Sequence, residues 1–314
     1  MTDTIDVLLA TYNGARHLDA QLQSLLEQTH QDFRVLVSDD GSSDGTQALL
    51  QGWRAHFGGR LVLLDNPAPG RGVARNFEFL LQASLQDGIA GCMAFCDQDD
   101  VWLPDKLAVL LQALRRLQAD VGEHQPCLVH CDLAVVDGQL APLHPSFARH
   151  QRYDPAHCSD TTLLSINQVT GCAMLVSRTL ACQALPLPPE AVMHDWWCAL
   201  LAAGGARRFV DHPLVLYRQH GANQLGAKGR GLGSRVLRLL RDGPAVVRRV
   251  RALGQATTAQ ALALQARLRR EGRPTGWVQD YLDWRARRLW WRLAGGRRHY
   301  PGPVLDRVSR LLLW

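Results

Sequence analysis

The sequence lacks any uninterrupted apolar run of about 18 residues, the length that a helix needs to cross a bilayer. It also lacks a CxxC pair, and its eight cysteines are scattered through the chain. Scattered cysteines in apolar runs are more typical of buried thiols than of zinc ligands or disulfides. The first ten residues carry Asp3 and Asp6 without a basic stretch, so they do not resemble a secretory signal. These absences predict a cytoplasmic chain that does not span a membrane.

Charge is distributed unevenly along the 314 residues. Residues 226–314 carry 20 Lys and Arg against 5 Asp and Glu, a net charge of +15, whereas residues 1–225 carry 15 against 24, a net charge of −9. The asymmetry predicts a catalytic domain over 1–225 and a basic helical region over 226–314 that meets an anionic surface. Pro244, Pro274 and Pro301–Pro303 are expected to divide the basic region into about four helices.

The basic region has two interpretations. Arginines combined with Trp284, Trp290, Trp291 and Trp314 favour a peripheral position on the inner face of an anionic membrane, and no nucleic acid is expected. The alternative is a solvated helical bundle that packs on the catalytic domain.

The first hundred residues alternate between short apolar runs and helical patterns. Strands are predicted at 5–10, 33–38, 61–64 and 92–96, with helices at 15–28, 47–57 and 74–86 between them. Such alternation predicts an α/β fold with parallel strands. Beyond residue 126 the pattern loosens, with strands expected at 128–136, 169–177 and 214–216 and a helix at 195–203.

Four polar clusters follow these strands, at 11–14, 39–46, 70–76 and 97–100. Ligands of open α/β sheets bind at the carboxyl ends of the strands. The clusters are therefore expected on one edge of the sheet, which becomes the predicted site.

Two carboxylates of the fourth cluster, Asp97 and Asp99, are separated by one residue on a turn. Carboxylates at this spacing can face one hard cation, which would neutralise a diphosphate leaving group. The alternative is an acidic turn that caps the helix after Pro104.

The other polar segments are individually less specific. Asp39–Ser42 can accept a hydrogen bond from a pyrimidine, or form an ordinary turn. Arg75 can approach phosphate at a helix start, or lie on the surface. Asp195 can serve as a general base, or only cap its helix. His220 can complete a metal site, or belong to an unrelated loop.

Together these segments resemble glycosyltransferase family 2, the inverting enzymes of GT-A fold, and in particular its bacterial rhamnosyltransferase-like members. The resemblance spans about residues 5–223 and rests on seven motifs in family order: Ala10–Asn13, Asp39–Thr46, Ala74–Asn76, Phe95–Trp102, Val169–Gly171, His194–Trp196 and Tyr217–His220. It implies a Rossmann-like nucleotide-sugar transferase with a mixed central sheet.

The resemblance also implies roles for individual residues. Asp195 would be the catalytic base, and Asp97, Asp99 and His220 would hold Mg²⁺ or Mn²⁺. The nucleotide-sugar would be bound by Ala10, Thr11, Tyr12, Asn13, Asp40, Ser42, Arg75, Asp97 and Gln98. Trp102, His194 and Trp196 would contact acceptor or sugar, although for Trp196 core packing is an equal alternative.

The expected reaction is transfer of one sugar, rhamnose or another deoxyhexose, from dTDP-rhamnose or a UDP-sugar to a glycan or lipid-linked acceptor in cell-surface polysaccharide synthesis. The sequence has neither the QxxRW motif nor the membrane helices of the family's processive synthases. A sugar nucleotidyltransferase should show a Gly-rich triphosphate loop, which Thr11–Gly14 is not. A non-catalytic binder is the third alternative, disfavoured because Asp97, Asp99 and Asp195 are intact.

Overall fold

The structure, a computed structural model, describes residues 2–219 and 232–287. The first part alternates strand and helix as the sequence predicts. Its elements are β1 (Ile5–Thr11), α1 (Ala15–Leu26), β2 (Phe33–Asp39), α2 (Thr46–Trp53), a 3₁₀ helix (Arg54–Phe57), β3 (Leu61–Leu64), α3 (Val73–Asp87) and β4 (Cys92–Asp97).

The following part is less regular. Its elements are β5 (Val101–Trp102), α4 (Lys106–Val121), β6 (Leu128–Val136), β7 (Pro142–His144), α5 (Phe147–Gln151), α6 (Asp160–Leu163), β8 (Met174–Ser177), α7 (Arg178–Ala184), α8 (His194–Leu201) and β9 (Arg207–Arg218), with 3₁₀ helices at Pro155–His157 and Gly171–Ala173. The strand predicted over 169–177 is therefore wrong in its first half. The Ala173 N–H donates to Thr170 O, which closes a tight turn in place of a strand ladder.

Within the described residues, nine strands form one mixed sheet in the order β3-β2-β1-β4-β8-β6-β9-β5, with β7 paired to β6. β1, β2, β3 and β4 are mutually parallel, whereas β8 runs antiparallel to both β4 and β6. Parallel strands end at the same edge, so the polar segments after β1, β2 and β4 lie together there, as predicted.

The hydrophobic core consists of the parallel strands and of the helices that cover their faces. All seven residues of β1 are buried. Leu18, Leu22 and Leu25 recur at helical spacing in α1 and are fully buried in the same hydrophobic cluster as the strands. The edge that carries the polar segments is thereby held by rigid elements.

All eight cysteines are free thiols, and six of them are buried, as the sequence predicts. Burial raises the pKa of the Cys92 thiol to about 12. Buried thiols of this kind are small apolar packing groups.

The described residues divide into two compact units. One is drawn from Met1–Ala148, Val169–Leu187 and Met193–Gly226, and the other from Arg149–Gln168, Pro188–Val192 and Ala227–Trp314. The division into 1–225 and 226–314 stays a prediction, and the second unit also includes two segments from within 1–225.

The second unit contains α9 (Leu232–Arg270) and α10 (Gly276–Ala286). The expected break at Pro244 is wrong, because α9 continues through it. A proline inside a helix removes one backbone hydrogen bond and can kink the helix without ending it. Pro274 does separate the two helices. Pro301–Pro303 lies outside the described residues.

The helices of the second unit pack around an apolar centre. Leu264, Leu268, Val278 and Tyr281 are at most 1% exposed, and Trp284 packs against Tyr281. Trp284 is buried in this packing, so it is not available for the predicted contact with lipid. The other three tryptophans of that prediction, Trp290, Trp291 and Trp314, lie outside the described residues. No helix in the described part of the chain combines the length and apolarity needed to cross a bilayer.

One buried ion pair ties β1 to β2 and α3. The Asp6 carboxylate is fully buried and accepts from Arg34 Nε at 2.9 Å, Arg34 Nη2 at 2.7 Å and Ser84 Oγ at 2.7 Å. Arg34 also pairs with Asp87, whose side chain is 37% exposed.

We expect Asp6→Asn to lower the free energy of unfolding by about 3 kcal/mol, because it leaves Arg34 paired only at the surface. Urea denaturation measures the change. The matched control, Asp87→Asn, should cost less than about 1 kcal/mol, as exposed pairs do. Equal losses in both variants would contradict this assignment.

Candidate functional site

The acidic turn, Asp97–Asp100, begins at the last residue of β4 and leads directly into β5. Arg218, at the end of β9, holds the acidic turn through two hydrogen bonds. Its Nε donates to Asp99 O at 2.7 Å, and its backbone N–H donates to Asp100 Oδ1 at 3.2 Å. Asp100 is fully buried. The turn is thus clamped by the neighbouring part of the sheet.

The charges of two other carboxylates, one near in the chain and one distant, disfavour the ionisation of Asp97. Burial, the charge of Asp99 and the charge of Asp195 together raise the pKa of Asp97 to about 7, against a partial offset from Lys106. Asp99 and Asp195 are therefore close enough to Asp97 to disfavour its ionisation. The predicted roles of Asp97, Asp99 and Asp195 stay predictions.

A group of possible metal-binding atoms includes Asp97. One atom each from Asp97, Asp100 and Cys172 lie within 4.8 Å of one another. Burial and the charges of Asp100 and Asp97 raise the pKa of the Cys172 thiol well above its usual value, so the sulfur stays protonated. Hard divalent cations take oxygen ligands. The two carboxylates therefore suit Mg²⁺ or Mn²⁺, whereas the thiol does not.

Lys106 brings a buried positive charge to this group. It is fully buried at the start of α4, and its Nζ donates to Cys172 O at 2.7 Å while lying over the Trp102 ring. Burial lowers the pKa of Lys106 to about 8. Trp102 is itself 2% exposed and belongs to the hydrophobic core, so the structure places it in the packing and not on an open surface.

Asp195 lies in the first turn of α8 and is 7% exposed. Its Oδ2 accepts from the Gly171 N–H at 3.0 Å, and its Oδ1 accepts from the Trp196 N–H at 2.6 Å. The N-cap residue of α8 is Met193, so Asp195 is not itself the N-cap, although its contact with the Trp196 N–H satisfies a donor of the first turn.

His194 and Trp196 are each 6% exposed. The His194 ring forms a cluster with Phe77 and Phe95, with centroid distances of 4.2 and 5.2 Å, and burial lowers its pKa to about 3. Both side chains pack inside the domain. Their contact with acceptor or sugar stays a prediction.

Asp40, expected at the nucleobase, organises a loop. Its carboxylate accepts from the backbone N–H groups of Gly70, Arg71 and Gly72 at 2.8, 3.3 and 2.9 Å. Gly70 and Gly72 have positive φ angles of 81° and 86°, which glycine adopts without strain. This glycine loop is therefore bound to the end of β2 through Asp40.

The segment after β1 is braced by the acidic turn. The Gln98 side chain accepts from the Tyr12 N–H at 2.8 Å and donates to Tyr12 O at 2.9 Å. Both hydrogen bonds engage the backbone of Tyr12, and the residue is 56% exposed. In the register of the sheet, Ala10 lies beside Asp97.

The segment after β2 is held to β1 by hydroxyl and amide contacts. Ser42 Oγ accepts from the Asn13 N–H at 2.8 Å, and Asn13 Oδ1 accepts from the Ser43 N–H at 2.8 Å. Thr11 Oγ1 donates to Asp39 at 2.9 Å. Burial opposes ionisation of Asp39, but hydrogen bonds from Gln47, Ser42 and Thr11 outweigh it and lower its pKa.

One predicted residue, Arg75, has its contacts outside this network. Arg75 Nη1 donates to Glu78 at 2.6 Å and to Leu187 O at 2.9 Å, so that nitrogen is already engaged within the protein. His220 lies outside the described residues.

Sequence reasoning missed four residues that shape this site: Asp100, Lys106, Gly171 and Cys172. Asp100 adjoins the predicted pair, so its proximity in the chain was a usable signal. Cys172 had none, because a cysteine in an apolar run indicates only burial.

Comparison with known proteins agrees with this geometry. Residues 6–125 match the family model described as glycosyl transferase family 2. The dTDP-rhamnosyl transferase RfbG of Shigella flexneri is 26% identical over 231 residues, which are 70% of this chain and 74% of RfbG.

Solved structures share the architecture at low sequence identity. TarS 1-349 of S. aureus, in complex with UDP-GlcNAc, has a TM-score of 0.55 and 12% identity, covering 89% of this chain and 70% of TarS 1-349. The mannosyltransferase PcManGT of Pyrobaculum calidifontis, in complex with GDP-Man and Mn²⁺, has a TM-score of 0.52 and 17% identity. The match covers 98% of this chain and 84% of PcManGT. The chain therefore has the GT-A fold, and its residues 6–125 are a glycosyltransferase family 2 domain.

Proposed function

We propose that the chain is an inverting glycosyltransferase that moves a single sugar from a nucleoside-diphosphate donor to an acceptor hydroxyl. The observation that carries this proposal is the match of residues 6–125 to glycosyl transferase family 2, in a chain where Asp97 and Asp100 place carboxylate oxygens within 4.8 Å of one another. Two carboxylates for a cation and a third carboxylate nearby are the groups that displacement at an anomeric carbon requires.

Asp195 is the proposed base. It takes the proton of the acceptor hydroxyl as the acceptor oxygen bonds to the anomeric carbon. The bond between that carbon and the diphosphate oxygen breaks on the opposite face, so the configuration inverts. The hydrogen bond from the Gly171 N–H fixes the direction of this carboxylate.

Asp97 and Asp99 are the proposed ligands of Mg²⁺ or Mn²⁺, with Asp100 as a further carboxylate within reach of Asp97. Bound there, the cation would neutralise charge on the departing nucleoside diphosphate. PcManGT, which shares the fold, is described with Mn²⁺. His220 remains a proposed third ligand.

The nucleotide is proposed to lie along the ends of β1 and β2, over Ala10–Asn13, Asp40, Ser42 and Gln98, with Arg75 near the phosphates. The exposed Tyr12 ring supports this placement, because an exposed aromatic face can stack on a base. Asp40 keeps acceptor capacity beyond its three backbone contacts, since a carboxylate offers about four lone-pair sites.

The proposed donor is dTDP-rhamnose, with a UDP-sugar as the alternative. The similarity to RfbG, which is named for dTDP-rhamnosyl transfer, supports rhamnose. The proposed acceptor is a glycan or lipid-linked glycan of cell-surface polysaccharide synthesis.

A donor screen tests the function. We expect the protein to release free dTDP from dTDP-rhamnose in the presence of Mn²⁺ or Mg²⁺ and an acceptor glycan extract. EDTA should abolish release, and excess Mn²⁺ should restore it. Release that is unaffected by EDTA would refute the metal-dependent site, and no release from dTDP- or UDP-sugars would refute the activity.

Asp195→Asn should reduce kcat by about 10³-fold or more, because the amide cannot take the acceptor proton. Donor and Mn²⁺ binding, measured by calorimetry, should remain. The control is Asp211→Asn, which changes an exposed aspartate of β9 and should leave kcat unchanged. Normal turnover by Asp195→Asn would exclude it as the base.

We further propose that the basic region associates with anionic lipid. Arg248, Arg251, Arg269 and Arg270 are exposed on α9, and Leu262 is 53% exposed on the same helix. Arginines near an anionic bilayer each contribute roughly 1 kcal/mol of attraction.

Replacing Arg269 and Arg270 by Gln should therefore weaken binding to phosphatidylglycerol vesicles roughly 30-fold, as measured by co-sedimentation. The matched control replaces Arg115 and Arg116, an adjacent exposed pair on α4, and should have little effect. Equal sedimentation with neutral and anionic vesicles would end the lipid proposal.

A further inference from the structure

The connecting turn, Gly171–Ala173, touches both halves of the proposed site. On one side, Lys106 Nζ donates to Cys172 O at 2.7 Å, and the Cys172 sulfur lies within 4.8 Å of oxygens of Asp97 and Asp100. On the other side, the Gly171 N–H donates to Asp195 Oδ2 at 3.0 Å. Consecutive residues of one turn thus contact the acidic group and the proposed base.

The connecting turn also requires glycine at its first position. A Cβ at residue 171 would stand 2.9 Å from His194 Nε2 and 3.6 Å from the Asp195 Cβ. The first of these distances is shorter than side-chain contacts allow. The His194 ring cannot yield freely, because it is 6% exposed and its centroid lies 4.2 Å from that of Phe77 and 5.2 Å from that of Phe95. Any side chain at residue 171 would therefore displace the start of α8, which carries Asp195.

A buried lysine such as Lys106 would destabilise the protein if its only role were packing. A buried ammonium loses its hydration, whereas an apolar side chain of similar length would fill the same space without that cost. Its hydrogen bond to Cys172 O and its charge beside the acidic group account for the lysine. This hydrogen bond holds the connecting turn beside the acidic turn.

We propose that Gly171 and Lys106 are positioning residues that act through the connecting turn to hold Asp195 at a fixed place relative to Asp97 and Asp99. The inference rests on the proposed function, since it assigns Asp195 the role of base. Neither residue touches substrate; each sets the place of a group that does. A displacement of about 1 Å in such a group can cost about 100-fold in rate.

Gly171→Ala tests the proposal against a matched glycine. We expect kcat to fall about 100-fold while the KM for dTDP-rhamnose and the Mn²⁺ concentration for half-maximal rate change less than about threefold. The control is Gly91→Ala, where a new Cβ would collide with Thr2 O just before β4, at the opposite end of that strand from Asp97. Gly91→Ala should lower Tm without lowering kcat.

Lys106→Met supplies a second variant of similar length. It removes the hydrogen bond to Cys172 O, and we expect kcat to fall at least about tenfold with donor KM retained. Parent-like kcat in both Gly171→Ala and Lys106→Met would overturn the proposal. So would a loss of kcat that Gly91→Ala reproduces at equal loss of Tm, because that result indicates a purely structural effect.

Crystal structures separate this proposal from the proposed function. If the parent protein transfers no sugar, the function fails, but the position of Asp195 can still be compared between parent and Gly171→Ala. We expect its carboxylate to move away from the N–H of residue 171. An unmoved Asp195 and an unmoved His194 ring would contradict the positioning role whatever the activity.

Discussion

The repulsion among carboxylates at the end of β4 is the constraint on which the rest of the site depends. Asp97 is close enough to Asp99 and Asp195 that their charges, with burial, raise its pKa to about 7. Repulsion of this kind in a poorly hydrated interior destabilises the fold unless other groups offset it. Lys106 and the N–H groups of Arg218 and Gly171 supply part of that offset. A divalent cation bound at the proposed site would supply a further offset.

The fold sustains this crowding because rigid elements carry each carboxylate. β4 lies inside the sheet between β1 and β8, and Asp97 is its last residue. α8 delivers Asp195 from a segment about a hundred residues further along the chain, and the turn Gly171–Ala173 bridges the two. Sites built on strands and helix starts hold their geometry better than sites on long loops. The glycine loop around Asp40 and the exposed Tyr12 extend the same edge, along which the nucleotide is proposed to lie.

Much of this arrangement is readable from sequence, because β1 to β4 and their helices follow simple periodicities. The clusters after Thr11, Asp39 and Asp97 could be placed on one edge once the strands were taken as parallel. The turn Gly171–Ala173 could not, since its apolar composition is equally suited to a strand and its role depends on contacts distant in the chain. Trp102 could not be placed from sequence either, because a tryptophan beside an acidic motif is compatible with a ligand contact or with the packing in which the fold buries it, and its contact with acceptor or sugar stays a prediction. Pro244 indicated a break where helix α9 continues.

One cation-held diphosphate is proposed to lie between Asp97 and Asp99 on one side and Asp195 on the other. Anomalous diffraction from crystals grown with Mn²⁺ and dTDP measures this directly. We predict a manganese peak within coordination distance of Asp97 and Asp99, with dTDP phosphate oxygens on the same ion and Asp195 facing the space beyond the β-phosphate. A manganese peak elsewhere, or a nucleotide bound away from the acidic turn, would contradict the account.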